Sequence, residues 1–192
     1  MLKKFSNKLL SQINVDKNEY EVIQYGLYQS MIIIVNLISI LVCGAFWHEL
    51  MFGILLFLTL FLLRPYAGGY HANTEFRCYM ISIGIMNFAM IGHKYINILC
   101  NLKILIYFIS FMIIWKNAPV ENFINPLEDI EKERYSRKAK QIIGCYTLLA
   151  GGGMYMQNKI VSESIFWGII VVAISVLAGK WKYRENLSID IS

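Results

Sequence analysis

The 192-residue chain contains few charged residues, and this shortage argues against a soluble fold. Charged side chains make up 16% of the sequence, whereas a soluble domain carries about 25%. Hydrophobic residues make up 57%, and the mean hydropathy is +0.49. Because apolar runs recur along the whole chain, the sequence predicts a single integral membrane domain, residues 1–192, of the all-α class.

The chain also lacks the motifs of several enzyme and binding classes. It has no H-E-x-x-H, no pair of intramembrane aspartates and no G-x-S-x-G, so metallo-, aspartyl and serine peptidase chemistry is not predicted. No helix-turn-helix or zinc-finger pattern indicates nucleic-acid binding, and no motif calls for a cofactor. None of its cysteines forms a C-x-x-C pair; Cys43, Cys100 and Cys145 lie in or beside apolar segments and are predicted to be small buried hydrophobes.

Residues 1–26 do not resemble a signal peptide, because no apolar core follows the first lysines. Leu2, Phe5, Leu9 and Ile13 instead recur at helical spacing with polar residues between them. This pattern predicts an amphipathic helix on the membrane surface, and a frayed soluble tail is the alternative.

Six apolar segments are candidate membrane spans. They are Leu27–Trp47, Leu50–Leu63, Tyr79–Gly92, Asn97–Trp115, Gln141–Gln157 and Ser164–Gly179. A spanning helix needs about 20 residues, and the second, third and fifth segments are shorter. Four spans with two re-entrant segments is therefore the alternative topology.

The distribution of basic residues favours six spans with both termini in the cytoplasm. In this arrangement every lysine and arginine except Lys94, Lys103 and Lys159 falls on the inner side. That asymmetry follows the positive-inside rule, and it puts residues 64–78 on the cytoplasmic face.

Residues 64–78 form a polar interruption between two apolar runs, and they contain His71 and Cys78. A histidine base beside a cysteine nucleophile is the arrangement of a cysteine peptidase. In one straight helix the two residues would be separated by about 10 Å of rise, too far for a hydrogen bond. We therefore predict that His71 lies in a turn before the third span and that Gly68-Gly69 permits the reversal.

Neighbouring residues could support such a pair. Asn73 or Thr74 could cap a helix that carries Cys78 near its positive end, which would favour the thiolate. Glu75 or Asn73 could orient the imidazole, as the third member of a triad does. Three roles are open for Arg64: an interfacial anchor, a ligand for a substrate carboxylate, or a clamp on the backbone of the glycine turn.

The longest polar segment, residues 116–140, is a predicted cytoplasmic basic loop. From residue 127 onward acidic residues precede basic ones, an order that suits a helix leading into the fifth span. The segment is either a solvated connector or a docking surface for an acidic peptide. The candidate docking residues are Lys132, Arg134, Arg137, Lys138 and Lys140. His48 and His93 are predicted to be interfacial residues on the outer side.

These residues resemble the accessory gene regulator protein B (AgrB) family of quorum-sensing systems. The resemblance rests on Arg64, on Gly68-Gly69-Tyr70-His71, on Cys78 at the family's spacing from the histidine, and on Ala118-Pro119-Val120-Glu121-Asn122 followed by Pro126. Length, hydropathy and charge layout also fit over nearly the whole chain.

The resemblance implies a membrane endopeptidase of the bacterial cell membrane that processes an AgrD-like precursor peptide. His71 and Cys78 match the family's catalytic pair, Arg64 and Gly69 match positions important for activity, and residues 132–140 match a region implicated in processing. The implied reaction cleaves the precursor's acidic tail through an acyl-thioester and closes a thiolactone or lactone ring. A homodimer is also implied.

Two other functional classes remain open at this point. One is a peptide exporter or channel without peptidase chemistry, for which ionisable residues would be expected within the spans. The apolar segments contain few such residues, which disfavours it. The other is a membrane scaffold without catalytic activity.

Overall fold

The computed structural model describes residues 20–70, 72, 74–120 and 128–189, and the regular structure in these ranges is entirely α-helical. The predicted all-α class is therefore confirmed. Six helices follow one another in the described ranges: α1 Tyr20–Trp47, α2 Leu50–Ala67, α3 Glu75–Tyr95, α4 Cys100–Asn117, α5 Asp129–Tyr155 and α6 Lys159–Ile189. The predicted surface helix falls mostly outside the described residues, and residues 20–26 begin α1.

Four of the helices contain a segment long and apolar enough to cross a membrane. These segments are Gly26–Trp47, Leu50–Ala67, Cys100–Asn117 and Lys159–Tyr183. The third predicted span lies within α3, and the fifth lies within α5 except for its last two residues, since α5 ends at Tyr155. Both helices begin before the predicted spans, in charged residues. The chain is thus an α-helical membrane protein, whereas six complete crossings stay a prediction.

Helices α2 and α6 form the centre of the bundle. They make the most extensive helix contact, and α6 also packs against α4 and α5. Their fully buried side chains include Phe52, Leu56, Leu63, Ile169, Val172 and Val176. Large apolar side chains on the outside of the bundle, such as Phe46, Phe108 and Leu148, are exposed and would face lipid.

Short connections join the helices at both ends of the bundle. Between α1 and α2 the chain reverses at His48, which has a φ of 57°. A similar turn at Gln157, also with a φ of 57°, separates α5 from α6. Helix α5 begins with a capping box, in which the backbone amide of Glu128 donates to the carboxylate of Glu131. This confirms the helix predicted from the order of charges in that segment.

The predicted burial of three cysteines is only partly correct. Cys43 is half-buried between α1 and α3, where its sulfur accepts a hydrogen bond from the amide of Asn87 at 3.4 Å. Cys100 and Cys145 are exposed on the surface of the bundle, and both are free thiols. Around Cys145 the neighbouring Ile143 and Tyr146 are buried, so the thiol lies on the opposite, outward side of α5.

Candidate active site

The polar interruption between α2 and α3 is a break in the helix, because α2 ends at Ala67 and α3 begins at Glu75. Gly68 has a φ of 67° and Gly69 a φ of 132°, both in the region that favours glycine. This confirms the reversal predicted at the Gly68-Gly69 pair. Arg64 lies in the last turn of α2, which continues beyond the predicted end of the span.

The glycine turn is packed between two distant parts of the chain. On one side, the amide of Val120 donates to the carbonyl of Ala67 at 3.0 Å. A Cβ atom at Gly68 would lie only 2.3 Å from the carbonyl oxygen of Val120, and one at Gly69 only 2.5 Å from Oγ of Ser175 in α6. Glycine is therefore required at both positions by the neighbouring atoms as well as by the backbone.

Tyr70, the residue after this turn, is held through both of its backbone polar groups. Its amide lies 2.9 Å from the carbonyl oxygen of Ser175 and 3.2 Å from the Oγ of that residue, and it donates to both. Its carbonyl accepts a hydrogen bond from Nη2 of Arg64 at 3.3 Å. Arg64 thus binds the backbone beside the glycine turn, one of the three roles predicted for it. The ammonium group of Lys182 lies 5.0 Å from the centre of the Tyr70 ring.

Cys78 lies in the first turns of α3, where its thiol is half-buried. Thr74 is the N-cap: its Oγ1 accepts from the amide of Arg77 at 3.3 Å, and its carbonyl accepts from the amide of Cys78 at 3.0 Å. Of the two predicted caps, Thr74 is therefore the one that binds the helix. Cys78 thus lies about one turn from the N-terminal, positive end of the α3 dipole.

Three other predicted site residues cannot be placed in this geometry. His71 and Asn73 lie outside the described residues, as does the side chain of Glu75. The His71–Cys78 pair and the third catalytic residue accordingly stay predictions.

The five predicted docking residues lie together in the first half of α5. Arg137 forms an exposed ion pair with Glu133 at 2.8 Å, one helical turn away. Lys138 lies 5.0 Å from the ring centre of Tyr66, in the last turn of α2, and so reaches the end of the bundle that carries the glycine turn. The other members of the basic set are Lys132, Arg134 and Lys140.

The residues that support the turn from elsewhere in the chain were not predicted from the sequence. These are Val120 before α5 and Ser175 and Gly179 in α6. Ser175 and Gly179 are four residues apart, which is the small-xxx-small spacing of close helix contacts, and this spacing could have marked them. The contact to Val120 leaves no local signal in the sequence.

A family model and two curated relatives match the chain. The model of Accessory gene regulator B matches residues 2–176. The chain belongs to the AgrB family. An AgrB-like protein of Clostridium perfringens (strain SM101 / Type A) is 23% identical over 186 residues, covering 92% of this chain and 85% of the relative. AgrB-like protein 2 of Clostridium perfringens (strain 13 / Type A) is 24% identical over 143 residues, covering 71% of this chain and 67% of the relative. No solved structure matches the chain.

At the other end of this AgrB-family bundle lies a second polar cluster, which sequence analysis also missed. Nε2 of His93 is 3.6 Å from a carboxylate oxygen of Glu49, and its Nδ1 is 3.9 Å from one of Glu163. Glu163 also pairs with the ammonium group of Lys103. His93 was predicted to follow the third span at the interface, and it lies in the last turn of α3, after the predicted end of that span. Its interfacial position stays a prediction. Its side chain is largely buried because the ring packs on Phe52 of α2 and faces the carboxylates of Glu49 and Glu163.

Proposed function

We propose that this AgrB-family protein is a membrane cysteine endopeptidase that cleaves an AgrD-like precursor and supports its cyclisation. Family membership and the helical membrane fold support a membrane protein that acts on a peptide. Cys78 is the proposed nucleophile and His71 the proposed base.

The observation that carries the proposal is the environment of Cys78. Cys78 is half-buried near the capped N-terminus of α3, and Tyr70, which precedes His71 in the sequence, is hydrogen-bonded to Ser175 of α6 and to Arg64. A cysteine nucleophile needs a base, a means of stabilising the thiolate, and a rigid backbone that holds the nucleophile and the base. The capped helix end beside Cys78 and the hydrogen-bonded Tyr70 before His71 support the proposal on the last two points.

In the proposed reaction His71 takes the thiol proton and the Cys78 thiolate attacks the precursor carbonyl. The peptide C–N bond breaks, the imidazolium returns its proton to the leaving amine, and an acyl-thioester remains on Cys78. A thiol or hydroxyl of the precursor then attacks the thioester carbonyl and gives up its proton. The C–S bond to Cys78 breaks, which releases a cyclic thiolactone or lactone and restores the enzyme thiol.

Because a thioester retains much of the energy of the cleaved bond, ring closure needs no ATP. Water must be kept from the acyl-enzyme, and a site at the membrane boundary helps to exclude it. The basic residues of α5 would attract the acidic tail of the precursor. Asn73 or Glu75 would orient the imidazole of His71.

The proposed setting is the bacterial cell membrane, with both termini and the Cys78 end of the bundle on the cytoplasmic side. The basic residues near this end, from Arg64 to Lys182, fit that orientation under the positive-inside rule. The proposed partners are the precursor peptide, the lipid bilayer and a second copy of the chain.

Co-expression of the protein with an AgrD-like precursor, followed by mass spectrometry of the products, tests the proposal. We expect Cys78→Ala and His71→Ala to abolish precursor cleavage while membrane insertion stays at the wild-type level. The matched controls are Cys145→Ala, an exposed free thiol of α5, and His48→Ala, in the turn between α1 and α2; both should retain cleavage.

Trapping gives an independent result. The wild-type protein should yield a fragment of the precursor bonded to the Cys78 sulfur, and Cys78→Ala should not. Normal cleavage by Cys78→Ala would reject the peptidase assignment. Export of an uncleaved peptide by that variant would favour the exporter instead.

A further inference from the structure

Two residues of α6 are in direct contact with the turn that leads to His71. Ser175 binds the Tyr70 amide through its carbonyl oxygen at 2.9 Å and through Oγ at 3.2 Å. Gly179, one helical turn further along, is buried against the same segment. We call this pair of residues the α6 notch.

The notch depends on the absence of a side chain at Gly179. A Cβ atom there would lie 2.6 Å from the carbonyl carbon of Gly69, 2.9 Å from its Cα and 2.8 Å from the amide nitrogen of Tyr70. All three are backbone atoms, so no side-chain rotation could relieve the clash. Any larger residue at this position must push the turn away from α6.

The consequence for the proposed chemistry follows from chain geometry. Tyr70 is held by the α6 notch and by Arg64, and Thr74 is held as the cap of the helix that carries Cys78. Residues 71–73 connect these two fixed points, and the four Cα–Cα steps from Tyr70 to Thr74 span about 14 Å at most. The segment that contains the proposed base is thus short, and it begins at the residue that the α6 notch holds.

We infer that Ser175 and Gly179 are positioning residues for the proposed site: the α6 notch fixes Gly69 and Tyr70, and Tyr70 directly precedes the proposed base His71 in the sequence. This inference rests on the proposed function. The sequence predicts α6 only as a membrane span. The inference gives this helix a specific role in the proposed site. An error of about 1 Å in the placement of a catalytic group can cost on the order of 100-fold in rate.

The test compares Gly179→Ala with Gly144→Ala in the full-length protein. Gly144 lies in α5 and a Cβ atom there would meet nothing within 4 Å, so it controls for the added methyl group. Two quantities are measured in membranes: the rate of precursor cleavage, and the rate at which iodoacetamide alkylates Cys78 between pH 6 and pH 9, followed by mass spectrometry of the peptide that contains it.

We expect Gly179→Ala to slow precursor cleavage by about 10- to 100-fold. We also expect the pH dependence of its Cys78 alkylation rate to become more like that of the His71→Ala variant. Gly144→Ala should match the wild type in both measurements. Ser175→Ala should slow cleavage less than Gly179→Ala does, because it removes the Oγ acceptor but leaves the Ser175 carbonyl bonded to the Tyr70 amide. Where Gly179→Ala fails to insert, Ser175→Val takes its place, since it removes the Oγ acceptor and adds a methyl group beside Gly69.

The outcomes distinguish a failure of the positioning role from a failure of the peptidase proposal. Wild-type cleavage rates in Gly179→Ala, or slow cleavage with an unchanged alkylation profile, would overturn the positioning role and leave the peptidase proposal standing. Cleavage by Cys78→Ala would instead remove the proposed function, whatever the behaviour of the α6 variants.

Discussion

The imidazole of His93 stacks face to face on the ring of Phe52, with the ring centres 4.2 Å apart and the planes 5° from parallel. Phe52 is fully buried in α2, so the stack fixes His93 at the edge of the core. In that position the imidazole lies between the carboxylates of Glu49 and Glu163. Together with Lys103, these residues connect α2, α3, α4 and α6 at the end of the bundle opposite to Cys78.

The first prediction concerns the stability that this cluster contributes. Glu163→Gln should lower the free energy of unfolding by about 1–3 kcal/mol, because it leaves Lys103 and His93 in a largely buried place without their carboxylate partner. Thermal unfolding in detergent measures the change.

Glu133→Gln is the matched control for this substitution. Glu133 also forms an ion pair, with Arg137, but both side chains are more than 70% exposed. Exposed pairs one turn apart contribute about 0.3–0.5 kcal/mol, so this variant should unfold close to the wild-type temperature. Equal losses in the two variants would contradict a stabilising role for the cluster.

The helices could be predicted from the sequence because a chain in lipid must satisfy its own backbone and must turn apolar residues outwards. Their ends were less predictable. Helix α5 begins at Asp129, well before the apolar segment that starts at Gln141, since a charged helix can leave the membrane without ending. Hydropathy marks the membrane boundary of a helix and not its last residue.

The glycine turn was predictable for a local reason, because two adjacent glycines between apolar runs permit a reversal that other residues resist. The supports of the turn were not. Tyr70 and Ser175 are 105 positions apart, and only the packing of α2 on α6 brings them together. The cluster around His93 was not predictable from the sequence for the same reason, since its members come from different helices and show no regular spacing along the chain.

The second prediction concerns the cap of α3. Thr74→Ala removes the acceptor for the Arg77 amide and should cost about 1 kcal/mol of helix stability. Hydrogen exchange at the amide of Arg77 should accelerate, and alkylation of Cys78 near neutral pH should slow. Thr74→Ser keeps the hydroxyl and should resemble the wild type. A variant that lacks the cap but exchanges at the wild-type rate would argue against this role.

The third prediction concerns the contact between Gly68 and Val120. Gly68→Ala forces a side chain into a backbone conformation with a φ of 67° and towards an oxygen 2.3 Å away, so we expect a loss of about 1–3 kcal/mol in stability. Gly84→Ala, in open space on α3, is the control and should not destabilise the protein. Thermal unfolding distinguishes them, and a stable Gly68→Ala variant would show that the turn can relax.

The fourth prediction uses natural and introduced cysteines to count the membrane crossings. Cys100 is exposed at the start of α4, and Tyr155 is 91% exposed at the end of α5. With six spans, a membrane-impermeant maleimide added to intact cells should label Cys100 and a Tyr155→Cys variant but not Cys78. Cys78 should react only after permeabilisation.

Protection of Cys100 in intact cells would indicate that α3 does not cross the membrane. Protection of Tyr155→Cys alone would indicate the same for α5. Either result would favour the topology with re-entrant segments.

The last prediction concerns the basic face of α5 in the proposed capture of an acidic peptide tail. Lys138→Gln and Arg134→Gln should each raise the KM for the precursor by about 3- to 10-fold, with little change in kcat, because screened surface charges act mainly on encounter and binding. Lys159→Gln, at the opposite end of the bundle, is the charge-matched control. The difference between the variants should shrink as salt is added, since the Debye length falls from about 10 Å at 0.1 M to about 3 Å at 1 M. A fall in kcat without a rise in KM would instead connect these side chains to the glycine turn, through the contact of Lys138 with Tyr66.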